Sequence, residues 1–417
     1  MDAVEVAIVG GGQAGLAVSH ELTVAGIDHL VLERGRVGQS WRDRWDSFCL
    51  VTPNWSVRLP GGHYQGADPD GFMVRDEVVA HLRGYADAFA APVREGVEVV
   101  SLEVARQDGF RLETSAGALQ AGYVVAATGS YRRPHRPDGA ATLPADLLQL
   151  DVGDYRNPEQ LPPGRVLVAG SGQSGAQVAE ELTLAGREVV LACGKAAWAP
   201  RRLGGRDLFW WALESGFLTM TLASLPSPAA RLAANPLLTG QRGGHDLHLR
   251  TLRAMGVTLT GRFLGASGRE AWFAPDLGDS VAWGDQRHRE LMELFTKLAA
   301  ERGLPPPPVP EPEPFDAHAP ERLPLAGLGA VVFAGGYRPD YGSWLPWPEA
   351  FDEFGFPLQQ DGASTMVDGL YFAGVHFQRT RKSSLLVGVG EDAALVAADI
   401  AARTTKARTR SRRQQAG

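Results

Sequence analysis

The hydrophobic positions of this chain follow the same pattern twice. Residues 4–9 and residues 166–169 are apolar runs, and each is followed by a glycine-rich turn and then by apolar residues at helical spacing. A short apolar run bounded by a turn predicts a buried parallel strand, and the spacing after the turn predicts a helix. The sequence therefore predicts two strand–turn–helix units of an α/β fold.

The two turns read GGGQAG at residues 10–15 and GSGQSG at residues 170–175. In this pattern the first glycine makes the turn, the second lets a pyrophosphate reach the main chain, and the third lets helix and strand pack closely. The helix N-terminus then presents free N–H groups to the phosphates. One such motif is weak evidence, but two in register predict two dinucleotide sites. Their residues are Gly10, Gly12, Gln13, Ala14, Gly15, Gly170, Ser171, Gly172, Gln173, Ser174 and Gly175.

The two units differ at the end of the second strand, where Glu33 corresponds to Cys193. A carboxylate accepts a hydrogen bond from a ribose 2′-hydroxyl and repels a 2′-phosphate, so the first site, with Arg34 beside Glu33, is expected to hold FAD or NAD. The second site has cations instead, and these favour NADPH. They are Lys195, Arg201 and Arg202. A solvated surface pair is the alternative interpretation of the two arginines.

The remaining pattern predicts an organisation in which the first domain is split. Residues 1–155 and 321–402 are assigned to it, residues 156–320 to the second domain, and residues 403–417 to a disordered basic tail. Residues 226–244, rich in glycine and proline, predict an irregular crossing, with a flexible lid as the alternative. The other predicted elements are helices at 76–89 and 207–213, strands at 97–104, 110–114, 123–127, 330–335 and 370–373, a stiff connector at 305–314, and a last helix beginning near Ser383 or Ser384.

Composition narrows the function. A formal net charge of −7 disfavours nucleic acid as a general partner. The cysteines, Cys49 and Cys193, stand far apart and form no CxxC pair, which argues against a disulfide framework and against a disulfide reductase. No apolar run is long enough to span a bilayer, and the chain opens directly with a strand, so we expect a cytoplasmic protein.

The chain resembles the flavin-containing monooxygenase superfamily, in its bacterial branch, by the order of five features. They are the first glycine turn, the strand end Ala127-Thr128-Gly129 where the chain leaves the first domain, the second glycine turn, a similar strand end at Gly335, and the strand at 369–374. The resemblance extends from residue 4 to about residue 402. It implies two Rossmann-like dinucleotide-binding domains, with the NADPH domain inserted in the FAD domain. The FAD contacts that it adds are Trp41, Trp45, Thr128, Gly129, Gly374 and Leu385.

The resemblance also implies an activity. NADPH would reduce FAD, O2 would add at flavin C4a, and the resulting (hydro)peroxide would transfer one oxygen atom to a small organic substrate. Oxygenation of nitrogen or sulfur, or hydroxylation, is preferred over Baeyer–Villiger oxidation, whose full fingerprint is absent. An NADPH oxidase or dehydrogenase without oxygen transfer, and a redox- or nucleotide-sensing flavoprotein, are the alternatives. A homodimer is compatible with any of them.

There are two candidate catalytic residues. The resemblance suggests Asn54, which lies near the position where some members hold an asparagine beside the reactive flavin carbon. His376 follows the last strand, where it would tune the flavin or a substrate proton near neutral pH, with a structural, hydrogen-bonding histidine in a loop as the alternative. Asp151 stands where close relatives are expected to place a histidine in the linker, which puts domain coupling in question. Aromatic residues are candidates to line a dry pocket, namely Trp41, Trp45, Trp55, Phe209, Trp210 and Trp211.

Overall fold

Helices and strands alternate along the chain, as expected where helical crossovers connect parallel strands. The arrangement is seen in a computed structural model that describes residues 2–105, 109–233 and 235–415, with backbone alone from residue 407. In chain order the helices are α1 (Gln13–Val24), α2 (Gln39–Arg42), α3 (Arg75–Ala88), α4 (Gln173–Leu184), α5 (Leu208–Glu214), α6 (Leu249–Ala254), α7 (Leu277–Glu301) and α8 (Val389–Gln415). The helices predicted at 76–89 and 207–213 are confirmed as α3 and α5. None of the helices in the described ranges is long and apolar enough to cross a membrane.

The first sheet is built around strand Asp2–Val9, whose residues from Val6 onward are buried. This strand pairs in parallel with His29–Glu33 on one side and with Gly117–Ala126 on the other, so that the carboxyl ends of the three meet at one edge. The sheet is completed by Val93–Glu95, Val99–Val104, Phe110–Thr114, Gln359–Gln360, Ala363–Ser364 and Leu370–Phe372.

The second sheet repeats this order. Strand Arg165–Ala169 lies between Val189–Ala192 and Leu328–Phe333 and is parallel to both. In each sheet the strand that carries the glycine turn therefore lies beside a strand from which the chain leaves the domain. The two outer strands of the second sheet are Leu148–Asp151 and Thr258–Thr260. Smaller antiparallel pieces are Phe263–Ser267 with Glu270–Phe273 and Arg322–Pro324, Arg202–Leu203 with Arg206–Asp207, and Arg58–Leu59 with Gly62–His63.

The strand pairing contradicts the predicted domain boundaries at residues 155 and 321. Strands Leu148–Asp151 and Leu328–Phe333 both belong to the second sheet, because Leu328–Phe333 pairs in parallel with the glycine-turn strand Arg165–Ala169 on one side and with Leu148–Asp151 on the other. The chain crosses between the domains at the antiparallel pair formed by Arg133–Pro134 and Tyr337–Arg338. The exit and the return are thus adjacent, and the inserted domain lies between them.

The C-terminal helix differs from the prediction at both ends. It begins at Val389, not near Ser383 or Ser384, because the Ser383 hydroxyl accepts hydrogen bonds from two amides of the preceding turn. It also continues to Gln415, where a disordered tail was predicted. Alanine, arginine and glutamine are good helix formers, and the first half of α8 is packed against the first domain, so extension needs no new nucleus.

The proline-rich connector at 305–314 is held against α6 and α7. Nε of Arg250 donates to the carbonyl of Glu313, and Nε2 of His288 lies 2.8 Å from the carbonyl of Pro310. Arg250 also forms a two-point ion pair with Asp285 at 2.8 Å. Burial alone would raise the pKa of Asp285, but hydrogen bonds from Arg250 and Trp198 outweigh it and hold the pKa below its ordinary value.

Arg250→Met is expected to lower the free energy of unfolding by about 3 kcal/mol, because it leaves the largely buried Asp285 carboxylate without its cation. Urea unfolding followed by circular dichroism measures the change. Arg289→Met is the matched control: Arg289 lies 3.6 Å from Glu311, and both side chains are well exposed. That pair should contribute less than about 1 kcal/mol. Equal losses in the two variants would contradict the assignment.

Candidate functional site

The first glycine turn touches the end of the neighbouring exit strand. Gly10 has a φ of 115°, and a Cβ on it would stand 2.5 Å from the carbonyl oxygen of Ala127. A Cβ on Gly15 would stand 1.9 Å from the carbonyl oxygen of Gly10, so only glycine fits either position. Gly12 precedes α1, the space before it is open, and no described side chain caps the helix. The amides at this helix end are free to bind an anion.

The second glycine turn has the same geometry. Gly170 has a φ of 120°, and a Cβ on it would stand 2.5 Å from the carbonyl oxygen of Ala334. A Cβ on Gly175 would stand 1.8 Å from the carbonyl oxygen of Gly170. Gly172 precedes α4, again without a side-chain cap among the described residues. Ala127 and Ala334 are therefore equivalent positions, and the repeat includes the two exits.

Glu33 is anchored to the first turn. Its two carboxylate oxygens accept hydrogen bonds from the amides of Gly11 at 2.7 Å and Gly35 at 2.8 Å. The residue is buried, so the carboxylate is held in one orientation with lone pairs left for a ribose hydroxyl.

The second unit makes the corresponding contact with different atoms. Ser171 stands where the first unit has Gly11, and its hydroxyl is 3.0 Å from the amide and 3.1 Å from the carbonyl oxygen of Gly194. The Cys193 thiol lies in the core, where burial raises its pKa to about 12. No carboxylate occupies the position of Glu33 in this unit.

Of the cations predicted at the second site, Arg201 has another role. Its side chain is 2% exposed, pairs with Asp207 and donates to the carbonyl of Val51 in the first domain at 2.8 Å. Burial lowers its pKa. The predicted contact of Arg201 with a 2′-phosphate is therefore contradicted, because this guanidinium joins the two domains. Lys195 and Arg202 are exposed.

Gln13, the first residue of α1, joins two other segments at the first turn. Its Oε1 accepts from Nε1 of Trp41 at 3.0 Å, and its Nε2 donates to the carbonyl of Ser384 at 3.3 Å. Gly374 reaches the same place: a Cβ on it would stand 2.5 Å from the Cβ of Ala14. Segments from opposite ends of the chain thus converge here.

Polar atoms without partners surround this convergence. Among the described residues, the hydroxyls of Thr128 and Ser384 and Nδ1 of His376 are buried and make no hydrogen bond. Buried polar atoms are normally paired, so these atoms suit a polar ligand lying across the first turn. The residues present fit FAD: open amides, an anchored carboxylate and unpaired hydroxyls. Gly129, which follows Thr128, has a φ of 79°, and Leu385 follows Ser384 in a half-buried position.

His376 is held in a buried position beside the first turn. Its side chain is 7% exposed, and Nε2 lies 3.1 Å from the carbonyl oxygen of Arg231, so this nitrogen carries the proton. Burial, with the nearby charges of Arg381 and Arg231, lowers the pKa of His376 to about 4. These contacts favour the structural, hydrogen-bonding role, with Nδ1 left as an acceptor, and tuning of the flavin near neutral pH stays a prediction.

Asn54 holds a loop together. Its Nδ2 donates to the carbonyl of Asp68 at 2.9 Å, and its Oδ1 accepts from the amide of Met73 at 2.7 Å. The residue is 3% exposed. The structure therefore uses this amide for main-chain contacts within the first domain.

The aromatic candidates divide into two groups. Trp45 is buried and packs edge-on against Phe48, so it belongs to the core of the first domain. Trp55, from the first domain, lies 5.8 Å from Phe209 on α5 of the second domain. Phe209 belongs to an apolar cluster between the domains that also includes Trp55, Trp210, Trp211, Phe217, Leu238 and Leu385.

Residues 217–245, which we call the crossing segment, connect both sites. Near one end, the amide of Leu238 donates to Oε1 of Gln173 at the second turn. Further back, the carbonyl of Arg231 contacts His376 beside the first turn. The irregular path was predicted, but these contacts were missed. Gln13 and Gln173 occupy equivalent positions in the two turns, and each forms hydrogen bonds to another segment. This repeated glutamine was the sequence signal from which the contacts of the crossing segment could have been predicted.

The linker around Asp151 is held by an ion pair. Arg136 donates to both carboxylate oxygens at 2.8 and 2.9 Å, and its guanidinium lies 4.7 Å from the centre of the Phe333 ring. Tyr155 is fully buried and donates to Glu181, which also accepts from Ser47 across the domain boundary. An aspartate at the expected histidine position is therefore compatible with an ordered linker.

Known proteins are similar to this chain in sequence and in fold. Residues 7–203 match the family described as pyridine nucleotide-disulphide oxidoreductase. An uncharacterized CzcO-like oxidoreductase of Geobacillus kaustophilus (strain HTA426) is 31% identical over 95% of this chain and 98% of its own length. Indole-3-pyruvate monooxygenase YUCCA1 of Oryza sativa subsp. japonica is 29% identical over 49% of this chain and 52% of its own. A solved flavin-containing monooxygenase from Stenotrophomonas maltophilia has a TM-score of 0.68 at 20% identity, covering 97% of this chain and all of that one.

Asn54→Ala is expected to reduce the free energy of unfolding by about 2 kcal/mol, because the buried amide of Met73 loses its acceptor. Denaturant unfolding measures this loss, and the rate at which a reduced nicotinamide nucleotide is oxidised, per bound flavin, should stay close to that of the unmodified protein. If the variant is as stable as the unmodified protein but oxidises the nucleotide much more slowly, Asn54 acts at the reacting centre and this assignment is wrong.

Proposed function

The chain belongs to the flavin-containing monooxygenase superfamily and is an oxidoreductase of the flavin-dependent type, and on that premise we propose that it uses FAD and NADPH to insert one oxygen atom from O2 into a small organic substrate. Nitrogen or sulfur oxygenation, or hydroxylation, is the proposed reaction type. The observation that carries the proposal is the pair of uncapped helix ends, at Gly12 and Gly172, each at the carboxyl edge of a parallel sheet.

The first turn is proposed to hold FAD and the second the nicotinamide nucleotide. Glu33 would bind the FAD ribose, the amides before α1 its pyrophosphate, and Thr128 and Ser384 its remaining polar atoms. Lys195 and Arg202 would select a 2′-phosphate at the second turn. When bound, FAD would supply the redox chemistry that activates O2, and the chain would supply orientation and exclusion of water.

Oxygen transfer is favoured over thiol chemistry by the state of the cysteines. Cys49 and Cys193 are unpaired and buried, and burial raises the pKa of Cys49 to about 11 and that of Cys193 to about 12. Neither is a ready nucleophile. The apolar cluster between the domains, which includes Trp55 and Phe209, would keep the reacting space dry.

Incubation of the FAD-loaded protein with NADPH, labelled O2 and a panel of amines, sulfides and ketones should yield a product that carries one labelled oxygen atom, in an amount matching the NADPH consumed. Gly175→Ala should stay yellow but no longer be reduced by NADPH, because its Cβ would collide with the carbonyl of Gly170. Gly84→Ala, in an open position of α3, is the control. Release of peroxide in place of product would identify an oxidase. Absence of NADPH consumption would identify a sensor.

Lys195→Ala and Arg202→Ala are each expected to raise KM for NADPH by about fivefold, since an exposed phosphate contact contributes roughly 1 kcal/mol. KM for NADH should stay unchanged, because NADH has no 2′-phosphate. Arg206→Ala, another exposed arginine of the same hairpin, is the matched control. Steady-state rates with both nucleotides test the assignment, and parallel changes for NADPH and NADH would refute it.

A further inference from the structure

Arg381 is a largely buried cation without a carboxylate partner. Its guanidinium lies between two rings, 4.3 Å from the centre of Phe217 and 5.0 Å from that of Phe377. Its Nη1 donates to Oδ1 of the exposed Asn235, and its Nε is buried without a hydrogen bond. No carboxylate side chain among residues 3–105, 109–233 and 235–406 forms an ion pair with it, and burial alone lowers its pKa to about 10.

The neighbouring cations are all neutralised. Arg379, two residues earlier, pairs with Asp361 and Asp392, and Lys382, the next residue, pairs with Glu391. Arg231 in the crossing segment pairs with Asp352. Leaving one guanidinium uncompensated in partly buried surroundings is costly unless an anion arrives to balance it.

Main-chain hydrogen bonds hold Arg381 and its loop at the junction of the two domains. Its amide donates to the carbonyl of Met220 in the crossing segment at 2.9 Å. Phe377, whose ring flanks the guanidinium, is held at a φ of 56°, a conformation rare for a bulky residue and typical of functional loops. Three residues after Arg381, the carbonyl of Ser384 accepts from Gln13 at the first glycine turn. The cation is thus close to the proposed flavin site.

The residues around Arg381 indicate which class of anion would fit beside it. Phe217 belongs to the apolar cluster that also contains Trp55 and Leu385, and this cluster lies between the domains. A charged edge next to apolar rings fits a molecule with an acidic head and an apolar body.

We propose that Arg381 recognises the carboxylate of an organic acid substrate, whose apolar body lies along the cluster of Phe217, Trp55 and Leu385. The inference rests on the proposed oxygenase function and names its substrate class. The second source of a balancing anion is the reduced flavin itself, and the experiment separates the two.

Benzoate, phenylacetate and 3-phenylpropionate, each beside its primary amide, are titrated into the oxidised FAD-loaded protein while the visible flavin spectrum and the heat of binding are recorded. At least one acid should bind about tenfold or more tightly than its amide. Arg381→Gln should remove that preference by weakening the acid alone, and Arg381→Lys should restore part of it. Arg379→Gln, which removes a paired arginine of the same loop, should leave the preference intact. Flavin content checks the folding of each variant.

Equal binding of acids and amides to the unmodified protein, or an unchanged preference in Arg381→Gln, would overturn the proposal. So would an Arg381→Gln variant in which NADPH reduces the flavin more slowly without any substrate while the acid preference persists, because the cation would then serve the reduced cofactor. These results leave the proposed function standing, since oxygen transfer is measured separately. If the protein binds acids selectively but transfers oxygen to no substrate, the proposed function is refuted and the carboxylate site is retained.

Discussion

The architecture depends on main-chain contacts that are too close to admit a side chain. In each domain the third glycine of the turn lies against the carbonyl of the first, at Gly15 with Gly10 and at Gly175 with Gly170. These contacts pull a helix N-terminus onto the carboxyl edge of a parallel sheet, where its amides face outward. The first glycine also touches the exit strand. One steric constraint therefore sets both the nucleotide site and the point where the chain changes domain.

The relative position of the domains rests on polar contacts across their boundary. Glu181 on α4 accepts from Ser47 of the first domain, and Arg201 donates to the carbonyl of Val51. In the first unit the equivalent of Glu181 is Glu21, whose carboxylate lies 3.3 Å from Nδ1 of the adjacent His20. The same residue type at the same repeat position thus serves a domain contact in one copy and a surface contact in the other.

The sequence predicted those features that a local constraint imposes on residue type. The glycine turns and Glu33 were found because backbone approach and ribose recognition each demand particular residues at fixed spacing. The domain boundaries were missed because the partners of strand Leu328–Phe333 lie far away in the chain. Arg201 was misassigned because a sequence does not distinguish a buried arginine from an exposed one. The burial of His376, which lowers its pKa, was missed for the same reason.

The two units differ in how the glycine turn is linked to the end of the second strand. In the first unit the amide of Gly11 donates to the side chain of Glu33, so main chain anchors a carboxylate. In the second unit the hydroxyl of Ser171 contacts the main chain of Gly194, so a side chain anchors the loop after Cys193. In the second unit the serine hydroxyl makes this link without adding charge. The loop after Cys193 is therefore still anchored to the turn, but it lacks the carboxylate that would repel a 2′-phosphate.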